Sequence, residues 1–158
     1  MRNILAVAAI ALAACSSSAP ATPKQKVRIP APDFVIRQIV GPPELNYEEG
    51  NIEVKFRLDI GNHADVPIKL SRLEIVTVNP EGGAYTLDAT HRAYYFHTTI
   101  EPHQTGSVEF WAKAIGYGRS PRENEPVTVR GTLYFETPGG YYDHVFVKEI
   151  GQYAGQND

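Results

Sequence analysis

The sequence predicts an antiparallel β-sandwich of seven to eight strands, immunoglobulin-like in architecture. Three observations carry that expectation. Apolar residues recur at every second position through much of 33–150, the period of a half-buried strand. Stretches rich in Gly, Pro and Asn interrupt the alternation at short intervals, as turns between sandwich strands do. No segment has a convincing helical period; the nearest candidate, 107–115, repeats at two. The immunoglobulin disulfide is excluded because the 158-residue chain holds one cysteine. A small closed barrel is the alternative that the same pattern permits.

The elements follow in order. Asp33–Val40 is a short strand closed by the Gly41-Pro42-Pro43 breaker. In Asn51–Asn62, Ile52, Val54, Phe56, Leu58 and Ile60 share one parity and Glu53, Lys55, Arg57 and Asp59 the other. Gly61-Asn62-His63-Ala64-Asp65 reads as a turn. Val66–Val78 follows, and its parity changes between Leu70 and Leu73, which predicts a bulge or a short bend near Ser71-Arg72. Asn79-Pro80-Glu81-Gly82-Gly83 has turn chemistry. Ala84–Leu87 and Arg92–Thr99 are short strands, and Glu101-Pro102-His103-Gln104 turns into Gly106–Ala114. Val127–Glu136 and Tyr141–Ile150 form a hairpin about Thr137-Pro138-Gly139-Gly140.

The N-terminal segment is of another kind. Arg2 precedes an apolar run from Ile4 to Leu12, and Leu12-Ala13-Ala14-Cys15 ends it. The run is too short for a bilayer core, which needs roughly 20 helical residues. A charged start, a short apolar run and small residues at its end are the marks of a cleaved leader. The segment resembles the signal peptide and lipobox of bacterial lipoproteins. The resemblance implies cleavage after residue 14, a diacylglyceryl group on the Cys15 sulfur and an acyl chain on its amine. Ser16 resembles the outer-membrane class, which implies an anchor in the inner leaflet of the outer membrane with the domain in the periplasm. An ordinary signal peptide with an incidental cysteine is the alternative.

Four segments are expected: a leader over 1–14, a lipidated cysteine and Pro-rich tether over 15–32, the sandwich over 33–153 and a polar tail over 154–158. The tether is read as an extended spacer, about 17 residues at ~3.1 Å each, reaching ~50 Å. Lys24, Lys26 and Arg28 are a weak cationic patch for anionic headgroups. The formal net charge is −3, and loss of Arg2 with the leader lowers it by one unit. An acidic body argues against a nucleic-acid partner.

A second resemblance covers roughly 33–150. Phe56-Arg57-Leu58-Asp59-Ile60-Gly61-Asn62, Val66-Pro67-Ile68-Lys69-Leu70, Leu73-Glu74, Ile100-Glu101-Pro102 and Val129-Arg130-Gly131-Thr132-Leu133 carry it. Together they resemble the late embryogenesis abundant type 2 domain, also called the water-stress and hypersensitive-response domain. The family's Asn-Pro-Asn is replaced here by Asn62-His63-Ala64-Asp65. The resemblance implies a fibronectin-like sandwich, no catalytic residues and a stress-protective role.

Candidate chemistry is sparse. His97, Glu101 and His103 flank one turn, but their spacing matches no usual zinc pattern. A metal-dependent hydrolase is therefore the lesser alternative, and no cofactor is expected. There is no Gly-x-Ser-x-Gly elbow, and Ser107 and Ser120 have no base held nearby in sequence. Aromatic residues at outward parity are more informative. Trp111 and Tyr134 are expected on one outer sheet face, and Tyr117, Arg119 and Arg122 on a loop over 116–125 that is either a recognition site or a solvated connection. The expected function is a non-catalytic, lipid-anchored binding or structural module with an envelope protein as partner.

Overall fold

The computed structural model describes residues 24–41, 49–78, 83–117 and 125–151. The leader, Cys15, Arg119, Arg122 and the tail lie outside the described residues. Eight strands form two antiparallel four-stranded sheets. They are β1 (Asp33–Val40), β2 (Glu49–Gly61), β3 (Ile68–Thr77), β4 (Tyr85–Leu87), β5 (Ala93–Ile100), β6 (Thr105–Tyr117), β7 (Val127–Thr137) and β8 (Gly140–Ile150). The first sheet has the order β1-β2-β6-β4 and the second β5-β3-β7-β8. Each is an open sheet with two edges, so the architecture is a sandwich and not a closed barrel. The one helical turn among the described residues is a 3-10 turn at Ala89–His91.

Burial follows the alternation. Ile52, Val54, Phe56, Leu58 and Ile60 of β2 face Leu70, Leu73 and Ile75 of β3 and Val127, Val129, Leu133 and Phe135 of β7, all buried in one core. Burying a side chain of this size stabilises by about 1.5–3 kcal/mol. Aromatic rings close the two sides of the sandwich. Phe34 of β1 meets Phe146 of β8 at a ring separation of 4.8 Å, and Tyr94 of β5 meets Phe110 of β6 at 4.6 Å. Buried polar groups are paired: the Tyr85 hydroxyl donates to Gln38 Oε1 at 2.9 Å, and burial holds that phenol well above its ordinary pKa.

The expected bulge is present. The pairing of β3 with both β5 and β7 shifts between Leu70 and Arg72, and Ser71 Oγ donates to the Tyr134 carbonyl at 3.0 Å. Farther along β7, Gly131 pairs with Ile75, and a β-carbon there would lie 2.5 Å from both the Glu74 carbonyl oxygen and the Phe146 ring. Only glycine admits that approach.

Two expectations need correction. Tyr117 belongs to β6 and not to a loop, because Glu49 and Gly50 pair with Tyr117 and Gly116, while Tyr85 supports Gly116 from the other side. The tether does not extend to residue 32 as a free spacer. Val27 N donates to Tyr141 O and Tyr141 N to Gln25 O, so this segment lies along the start of β8. Lys24 and Lys26 are paired with Glu136 and Asp143, which takes two of the three cations from the expected headgroup patch.

Candidate interaction surface

Strand parity turns Trp111 outward between Glu109 and Lys113, since Phe110 and Ala112 are buried. β2 supplies its neighbours by register: Lys55 is opposite Trp111, Glu53 opposite Lys113, and Asn51 opposite Ile115. The Lys55 ammonium lies 5.8 Å from the centre of the indole and 2.6 Å from the Glu109 carboxylate. It therefore sits over one face of the ring, where the ring's negative quadrupole attracts a cation. Trp111 is 50% exposed, and beyond Lys113 the same strand face presents Ile115 and Tyr117 in one row.

Beside this row runs a groove of about 680 Å³, lined by Val40, Ile52, Glu53, Asp88, His91, Trp111 and Ile115 among others. Its rim is set by the 3-10 turn. Asp88 caps that turn, accepting from Thr90 N at 2.8 Å and Thr90 Oγ1 at 2.7 Å, and its other oxygen lies 2.7 Å from His91 Nδ1. The Thr90 hydroxyl and N–H, then His91, hold the Asp88 carboxyl at about 2. Trp111 also lines a second cleft of about 470 Å³ with Glu74, Arg92 and Tyr94. The groove has an apolar wall with Glu53, Asp88, Lys113 and His91 at its edges.

Tyr134 is elsewhere. β6 and β7 belong to different sheets, so Trp111 and Tyr134 occupy opposite outer faces of the sandwich. The connection after β6 crosses between sheets, which parity along a strand cannot reveal. On its own face Tyr134 carries the Arg72 guanidinium, 3.9 Å from the ring centre, beside Tyr95, which is 71% exposed. The bulge at Ser71 is what brings Arg72 over that ring. Arg72, Tyr95, Lys55, His91 and Ile115 were not among the expected contact residues. Continued outward parity beyond Trp111 points to Ile115. The others depend on strand neighbours that sequence alone does not assign.

Three of the five histidines lie beside a carboxylate, His91 with Asp88 as above. His103, at φ 58°, lies 3.0 Å from Asp65, and His63 lies 2.7 Å from Asp33. Among the described residues no three His, Cys, Asp or Glu side chains converge, and His97, Glu101 and His103 are not brought together.

No protein-family model matches the chain, and no curated protein matches it. Among solved structures it is similar to a protein from Archaeoglobus fulgidus, with 12% identity over 78% of this chain and 96% of the other, at a TM-score of 0.45. It is similar to the putative ApaA protein from Bordetella pertussis, with 14% identity over 84% of this chain and 100% of the other, at 0.44. A GAE domain of yeast GGA1 aligns at 13% identity over 75% of this chain and 100% of the other, with a TM-score of 0.38.

Proposed function

We propose that this protein is a non-catalytic, lipid-anchored module of the bacterial cell envelope that binds a protein partner through the outer face of its first sheet. The observation that carries the reading is Trp111, half exposed, with the Lys55 ammonium over its ring and walling a groove of about 680 Å³. Large aromatic side chains beside open grooves are frequent binding hot spots. The Leu12-Ala13-Ala14-Cys15 sequence supports the anchor, and Ser16 supports the outer membrane with the domain toward the periplasm.

The test is a pair of variants in the full chain. Cys15→Ser is expected to release the protein from the membrane fraction. Trp111→Ala is expected to weaken crosslinking to the envelope partner by about 2 kcal/mol or more, roughly thirtyfold. Its unfolding free energy should stay within about 1 kcal/mol of wild type. Partner capture unchanged by Trp111→Ala would overturn the assigned surface, and unchanged membrane association of Cys15→Ser would overturn the anchor.

A further inference from the structure

Residues 24–29 are fastened to one end of the sandwich by several independent contacts. Backbone hydrogen bonds of 2.9 Å run from Val27 N to Tyr141 O and from Tyr141 N to Gln25 O. Lys24 Nζ lies 2.9 Å from Glu136 Oε1, and Lys26 pairs with Asp143. Ile29 packs against the core. Gly140, at φ 151°, completes the seat: a β-carbon there would overlap the Gln25 carbonyl oxygen, so the strap lies where no side chain could stand. The Lys24 bond also keeps the Glu136 carboxyl below its usual range, and Asp143 holds the Lys26 ammonium above its own.

The strap fixes where the chain leaves the domain. Register pairs Gly61 with Thr105, Ile68 with Ile100 and Lys69 with Glu136. The loop 62–67, the turn 101–104 and the 137–140 hairpin therefore share one pole, and Lys24 sits there. Glu49, Tyr117, Val127 and Ile150 mark the other pole, since Glu49 pairs with Tyr117 and Val127 with Ile150. The 13 residues of β2 separate the poles by roughly 43 Å at ~3.3 Å each. Between Cys15 and Lys24 the sequence has only Ser16–Pro23. Even fully extended, that span reaches at most about 30 Å.

We propose that the pole bearing the 137–140 hairpin, the 62–67 loop and the 101–104 turn is the surface that faces the phospholipid bilayer, and that the strap holds it there. This rests on the lipidation of Cys15 proposed above. A strap that stayed free would add residues 24–32 to the spacer and let either pole approach the membrane.

The experiment uses the full, lipidated chain in vesicles of phosphatidylcholine and phosphatidylglycerol carrying a rhodamine-labelled headgroup. A donor dye is placed through Pro138→Cys at the hairpin or Gly151→Cys just past β8, where the space is open; Cys15, as a thioether, does not react. Energy transfer from position 138 is expected to be at least about twofold that from 151, given the distances above. Lys24→Glu with Lys26→Glu sets carboxylate against carboxylate at both contacts and is expected to bring the ratio toward one. Equal transfer from the two positions on vesicle-bound protein would overturn the orientation while leaving the anchor intact. A ratio unmoved by the double variant would overturn the role of the strap. Wild-type protein that fails to load on vesicles, as Cys15→Ser should, would overturn both readings.

Discussion

Asn62 does at one position what several residues often share. It is buried, and its Nδ2 group reaches the carbonyls of Val66 at 2.9 Å, Ile100 at 3.0 Å and Glu101 at 3.2 Å, while its Oδ1 accepts from Ala64 N at 2.9 Å. Its own N–H donates to Gln104 O. One amide thus ties the 62–67 loop to the 101–104 turn. Asn62→Ala leaves buried backbone groups without partners and is expected to cost on the order of 3 kcal/mol, read from urea midpoints. A loss under about 1 kcal/mol would mean that water replaces the amide. Asp88 gives a titration at the same scale. Its folded pKa of about 2 lies below the ordinary 3.8, so its stabilisation is complete above the ordinary value and is lost as pH falls through the folded one. Asp88→Asn keeps a good cap but removes the charge. Between about pH 4 and 2 the wild-type urea midpoint is therefore expected to fall more steeply than that of Asp88→Asn. Parallel curves would exclude Asp88 as a source of acid sensitivity.

Strands are where sequence and structure agree most closely. The period of two assigned Phe56, Leu58 and Ile60 to the core because a pleated strand has only two faces, and one of them is wet. The parity change between Leu70 and Leu73, which a bulge or a short bend could meet, falls where the register shifts. What the pattern lacks is any statement of which sheet a strand joins. Tyr134 and Trp111 have the same outward parity, yet the crossing after β6 puts them on opposite faces. The groove beside Trp111 was hidden for the same reason: Asp88 and His91 reach it from a 3-10 turn, and Val40 from the end of β1. The strap was hidden by composition. Pro and Lys suggest a solvated spacer, whereas its partners, the Tyr141 backbone and the carboxylates of Glu136 and Asp143, lie far away in sequence.

At the scale of the whole molecule, the two sheets have no independent cores. Every buried apolar residue of β2 and β6 packs into the same cluster as those of β3 and β7, and the rings of Phe34–Phe146 and Tyr94–Phe110 join the sheets at both sides. The single cysteine excludes an intrachain disulfide, so cohesion comes from non-covalent contacts alone. The domain should therefore unfold as one unit. Trp111 is the only tryptophan and sits in the first sheet, whereas far-ultraviolet circular dichroism reports both. Urea curves from indole fluorescence and from circular dichroism are expected to coincide and to be unmoved by a reductant. Phe56→Ala in β2, which removes a fully buried ring, is expected to shift both curves together by about 3–5 kcal/mol. Leu133→Ala in β7, on the opposite sheet, should shift both by about 2–5 kcal/mol. If Phe56→Ala moved the fluorescence curve and left part of the circular dichroism at its wild-type midpoint, the sheets would be separable, and the shared core would not be what holds the sandwich together.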